Sequence, residues 1–68
     1  MNELKKGKFY LWGDTLIKII EIPKNNSNHI IVYVFDKYSK IEGPYRSVVN
    51  VNEITELSPV LKELYNDN

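Results

Sequence analysis

Four serines, a single histidine and nine carboxylates are among the side chains of this 68-residue sequence that could carry out catalysis without a cofactor. None of Ser27, Ser39, Ser47 and Ser58 sits in the Gly-x-Ser-x-Gly turn that exposes a nucleophile at the end of a strand. His29 is of the residue type most often used as a general base, but it stands at the mouth of a polar loop and reads as a strand-edge residue. Glu53 and Glu56 are three apart in a segment read as strand, so alternation turns them to opposite sides and prevents an acid/base pair. Asp14 and Asp36 read as turn and strand-end residues. The three glycines stand far apart, which excludes a Gly-rich phosphate loop. There is no cysteine, so disulfides and thiolate metal sites are excluded, and one histidine cannot make a His-rich zinc site. The expectation is a protein that does not catalyse a reaction and needs neither metal nor cofactor.

Binding chemistry is better represented. Tyr10, Trp12, Tyr33, Phe35 and Tyr38 could stack on bases, with Lys8, Lys18, Lys37, Lys40 and Arg46 reaching phosphates. Against that stands a net charge of zero with Arg46 the only arginine, so no strong electrostatic drive toward nucleic acid or membrane is built into the chain. The charge is uneven: residues 1–24 carry five lysines against Glu3, Asp14 and Glu21, whereas residues 53–68 carry Glu53, Glu56, Glu63 and Asp67 against Lys62. These read as solvated ends of opposite sign. The segment Gly43-Pro44-Tyr45-Arg46-Ser47 places a tyrosine and the arginine beside a rigid turn, a usable contact point.

The elements that must position these residues follow from patterning. Residues 1–7 form a polar lead-in. Residues 8–12 and 15–22 are aromatic and β-branched, and Gly13-Asp14 between them suits a two-residue hairpin turn of type II′. Pro23 to Asn28 is dense in turn formers. Residues 29–36 make a third strand, 38–44 a turn ending in Gly43-Pro44, 45–51 a fourth strand and 53–57 a short fifth. Ser58-Pro59 then supplies an N-cap and a first-turn proline. Val60, Leu61, Leu64 and Tyr65 share one face of a helix over 59–66.

Short strands joined by tight turns predict a mainly β fold: a small five-stranded antiparallel barrel with a short C-terminal helix, all one domain over 1–68. In its Gly7-Lys8-Phe9-Tyr10 start, long second and third strands, Gly43-Pro44 turn and short last strand near Pro59, the chain resembles the SH3-like and Tudor-like small barrels over residues 7–58. The resemblance is architectural, and no motif transfers binding residues. It implies a domain that binds peptides, methylated side chains or nucleic acid.

The most informative feature is a sheet apolar on both faces. Pairing about Gly13-Asp14 puts Phe9, Leu11, Leu16, Ile20 and Ile22 on one face, read as the core. It puts Tyr10, Trp12, Ile17 and Ile19 on the other, between Lys8 and Glu21. In the third strand Ile30, Val32 and Val34 are read as inward, and Ile31, Tyr33 and Phe35 as outward. In the fourth, Tyr45, Val49 and Val51 are read as inward, Arg46 and Val48 as outward. A sheet wetted on one side alternates cleanly; this one does not. Large side chains left in water forgo about 1.5–3 kcal/mol each on burial, so the second face calls for a cover. The C-terminal helix, a second copy and a foreign ligand are the three covers available.

The resulting expectation is a protein-interaction module, self-associating, with Tyr10, Trp12, Tyr33, Phe35, Tyr45 and Arg46 as its partner-binding residues. The alternatives are a single-stranded nucleic-acid binder and an oligomeric trap for a small ligand or nucleotide. The opening residues are polar and no apolar run reaches membrane-spanning length, so a cytoplasmic location is expected. The absence of Ala and Gln, with abundant Lys, Asn, Ile and Tyr, is the bias of an AT-rich genome, as in a low-GC bacterium or its phage. A phage or mobile-element protein that binds and inhibits a host factor fits that bias.

Overall fold

A computed structural model describes residues 4–24, 28–35 and 44–66. It contains β1 (Phe9–Trp12), β2 (Thr15–Glu21), β3 (His29–Phe35), β4 (Tyr45–Asn50), a 3-10 turn (Val51–Glu53), β5 (Ile54–Thr55) and α1 (Pro59–Asn66). The predicted loop between β2 and β3 falls partly, and the turn before Pro44 almost wholly, outside the described residues. So do Lys37, Tyr38 and Lys40 of the base-stacking set.

Local chemistry accounts for the boundaries. Trp12 pairs with Thr15, leaving Gly13-Asp14 as a two-residue loop, and Gly13 has the positive φ, 62°, that primed hairpin turns need at their first central position. Below Phe9, Gly7 at φ 86° lets the chain bulge. The Gly7 N–H donates to the Ile19 carbonyl at 2.8 Å and the Ile19 N–H donates to the Lys8 carbonyl at 3.0 Å. Asn50 caps the 3-10 turn, its Oδ1 accepting from the Asn52 N–H at 2.8 Å. Ser58 opens α1, its carbonyl accepting from the Lys62 N–H at 2.8 Å and its Oγ from the Leu61 N–H at 3.4 Å.

All strand pairs are antiparallel, in the order β4-β3-β2-β1-β5. This corrects the expected SH3-like or Tudor-like barrel: β4 and β5 are the two edges and form no ladder with each other, so the sheet is open. It is not flat, however. Five flat strands would set the outer two about 19 Å apart. Asn50 and Ile54 are joined by a chain that reaches at most about 14 Å. In a flat sheet the two residues would stand at opposite corners, Asn50 beside His29 and Ile54 beside Trp12, so the sheet bends over its inner face without closing.

The bend explains how a single sheet buries a core. Ile17, Ile19, Ile30, Val32, Val34 and Ile54 are fully enclosed, and Tyr10, Val49 and Leu57 nearly so; Leu4, Trp12, Tyr45 and Val51 pack against the cluster. The third and fourth strands face as the sequence implies. The first hairpin is reversed: Tyr10, Ile17 and Ile19 are core, while Phe9, Leu11, Leu16 and Ile20 lie on the outer face. Register decides this. Tyr10 aligns with Ile17 and Val34, and Ile19 with Val32, so these side chains share the inward side of β3. Lys18, at the centre of the face read as core, aligns with Tyr33 and Arg46 on the outside. The pairing slips between Ile19 and Glu21, and that bulge takes Glu21 out of the inner row and opposite Ile31.

Candidate functional site

The bent sheet separates the six residues expected to bind a partner. Tyr10 is buried, its hydroxyl accepting from the Lys5 N–H at 3.1 Å. Trp12 and Tyr45 lean against the core, and the Trp12 Nε1–H reaches Glu53 Oε1 only at 3.5 Å. Tyr33, Phe35 and Arg46 come together on the outer face.

Sequence reasoning named Lys18 only as a phosphate contact, read Phe9 as core, and missed the row they complete. Phe9, Lys18, Tyr33 and Arg46 form one cross-strand row from β1 to β4. Rings and cations alternate along it. The Lys18 ammonium lies 5.5 Å from the Phe9 ring centroid, within cation–π range. Leu11, Leu16 and Phe35 form the next row, and the Phe9 and Phe35 rings stand 5.7 Å apart. On the other side Ile31 pairs with Val48. Tyr33 is 41 % exposed and Val48 60 %. Within these strands Lys18 and Arg46 are the cations of the outer face, with Glu21 at its margin.

The helix meets this face at one corner. The Tyr65 ring sits 5.2 Å from that of Phe9. The Asn66 amide then brackets the Phe9 backbone, Oδ1 accepting from the Phe9 N–H at 2.7 Å and Nδ2 donating to the Phe9 carbonyl at 2.9 Å. The Asn66 carbonyl accepts from the Lys8 ammonium at 2.9 Å. On the edge of β1 where β5 stops, one side-chain amide continues the ladder. Val60 and Leu64, by contrast, are 69 % and 70 % exposed. The helix does not lie across the sheet, and Val60 and Leu64 stay in solvent.

A cleft of about 600 Å³ opens between the polar side of α1, β1 and the lead-in, with Lys5, Lys8, Lys62, Glu56 and Glu63 among its walls. Lys8 is committed to Asn66, and Lys62 to Glu56 at 3.4 Å. The carboxylates singled out from the sequence are thus occupied separately: Glu53 beneath Trp12, Glu56 beside Lys62. Among the described residues no group of three or more His, Cys, Asp or Glu could hold a metal ion, and no helix is long and apolar enough to cross a membrane.

Fold and surface together define a small β protein: an open five-stranded antiparallel sheet with one anchored helix and an apolar outer face crossed by a ring-and-cation row. Comparison with protein-family models, curated proteins and solved structures gives no match.

Proposed function

We propose that the chain is a non-catalytic, cytoplasmic protein-interaction module whose contact surface is the outer face of the sheet. The observation that carries this reading is the ring-and-cation row, with Tyr33, Arg46 and Val48 exposed and Phe9, Leu11, Leu16, Ile31 and Phe35 half-buried around them, while α1 meets only its Phe9 corner. Contiguous apolar surface of this kind, rimmed by polar groups, marks association sites on soluble proteins. Aromatic residues and arginine are the side chains that dominate binding energy at such sites. Tyr33, Phe35 and Arg46 supply the anchors and Phe9, Lys18 and Val48 the surround.

The test compares wild-type protein with a Tyr33→Ser/Arg46→Glu double variant as bait in a low-GC bacterial lysate. Both substitutions lie on exposed positions and should leave the thermal midpoint unchanged. The reading requires a protein retained by wild type and lost by the variant; identical retention by both, or none by either, rejects it.

The same row favours one second reading. Alternating rings and cations at strand spacing is a surface on which single-stranded nucleic acid stacks. That reading requires oligonucleotide binding at low salt that weakens as salt rises and is lost on Tyr33→Ser. Absence of binding at low salt removes it.

A further inference from the structure

We propose that two copies of the chain associate through β4, edge to edge about a two-fold axis at Val48, joining their sheets into one. This concerns the edge of the sheet and does not rest on what the outer face binds.

The direction of the backbone groups sets the argument. The Val51 N–H donates to the Asn28 carbonyl at 2.7 Å, in line with the β3–β4 ladder. The N–H and C=O groups of Tyr45, Ser47 and Val49 therefore point toward β3, and those of Arg46, Val48 and Asn50 point away from it. Among the described residues no strand pairs with that outward side. Exposed edges are normally guarded by charged side chains, proline, a bulge or shortness. β4 has one charge, Arg46, and no other guard: it is six residues long, carries no Pro, and runs in unbroken register from Asn50 opposite His29 to Tyr45 opposite Val34. The opposite edge, β5, has two residues, and the edge of β1 that it leaves open is taken by Asn66.

The sequence of β4 selects a second copy as the occupant. With the axis at Val48, an antiparallel copy sets Val48 against Val48 and Arg46 against Asn50. Arg46 and Val48 then both donate and accept, and the Asn50 N–H donates, its carbonyl being the acceptor that opens the 3-10 turn. With the axis at Arg46, two like charges face each other and Val48 meets Pro44, which has no N–H. With the axis at Asn50, the ladder runs into the 3-10 turn. This register pairs every outward group left free within the subunit without charge repulsion, and it sets Val48, the most exposed apolar side chain of the strand, against its own copy.

Sedimentation of the full chain over a range of concentrations tests the inference, with two variants. Wild type is expected to shift from one to two copies as concentration rises. Val48→Pro removes an N–H that bonds nothing within the subunit; it should keep the far-UV spectrum and thermal midpoint of wild type and remain single. Val48→Cys, in a chain without other cysteines, should oxidise to a covalent dimer. A hydrogen-bonded antiparallel pair holds its Cα atoms about 5.5 Å apart, within disulfide range. Ser47→Cys, facing the inner side, should not cross-link. A wild type that stays single at every concentration, a folded Val48→Pro that still dimerises, or a Val48→Cys that fails to cross-link overturns the proposal. Should Val48→Pro fail to fold, the cysteine pair decides the question.

Discussion

Replacing Asn66 with alanine should detach the helix from the sheet. The Asn66 side chain makes two hydrogen bonds to the Phe9 backbone, at 2.7 and 2.9 Å, across a separation of 57 residues. A typical intramolecular hydrogen bond contributes about 0.5–1.5 kcal/mol net, so losing both costs about 1–3 kcal/mol. A domain of this length has a total stability of about 3–10 kcal/mol. The loss is therefore a large fraction of what holds the fold. It should also spread: α1 has eight residues, too short to persist alone in water. With Val60 and Leu64 exposed, its hold on the sheet is concentrated at Tyr65 and Asn66. Urea unfolding followed by Trp12 fluorescence should show a midpoint lowered by the equivalent of 1–3 kcal/mol. Far-UV circular dichroism in buffer should show reduced helical signal, and the Phe9 amide should exchange faster with solvent. Asn66→Asp keeps the acceptor for the Phe9 N–H but loses the donor to its carbonyl, and its charge opposes the helix dipole; it should not restore wild-type stability. An Asn66→Ala variant with the wild-type midpoint and a protected Phe9 amide would refute the clamp.

The reversed faces of the first hairpin give a paired test. Ile17→Ala removes a fully enclosed side chain and should cost about 2–5 kcal/mol, enough to unfold much of the population, whereas Leu16→Ala on the outer face should cost clearly less in the same urea titration. Gly13→Ala meets no neighbouring atom but forces a left-handed backbone on a residue with a Cβ, and should lower stability by about 1–2 kcal/mol; the D-alanine version of a synthetic chain should recover it. Ser58→Ala removes the cap of α1 and should cost about 0.5–2 kcal/mol, read by the same helical signal that reports on Asn66. Tyr33→Ser should shift the thermal midpoint little, because Tyr33 already stands in solvent.

The elements were legible in the sequence because their punctuation is local. Gly13-Asp14 and Ser58-Pro59 carry their own backbone requirements, and the alternation in residues 29–35 needs no partner to be read. The faces of β1 and β2 were not legible in the same way. Both hold more apolar side chains than polar ones, and counting oil favours the wrong one. The decisive signal is Lys18: a charge at the middle of a supposed core weighs more than charges at its ends, and the bulge after Ile19 removes Glu21 from the inner row. Closure into a barrel depends on where β4 lies relative to β5, which no local pattern encodes. The outer row is likewise a product of register. Phe9, Lys18, Tyr33 and Arg46 are separated by long stretches of chain and become neighbours only through three strand pairings. The anchoring of α1 rests on Tyr65 and Asn66, and no local pattern pairs an asparagine side chain with a backbone 57 residues away.

The pairing of β1 with β5 has a kinetic corollary. Leu11 waits for Thr55, and Phe9 waits for Asn66, before the outer side of the first strand finds any companion. During synthesis the β1–β2–β3–β4 meander can assemble as its strands emerge, but it does so with two bare margins and an inner surface lacking Ile54 and Leu57. Long-range closure of this kind slows folding relative to local hairpins. Until residues 54–66 are made, the nascent polypeptide is at its most vulnerable to proteases and to pairing with the wrong neighbour.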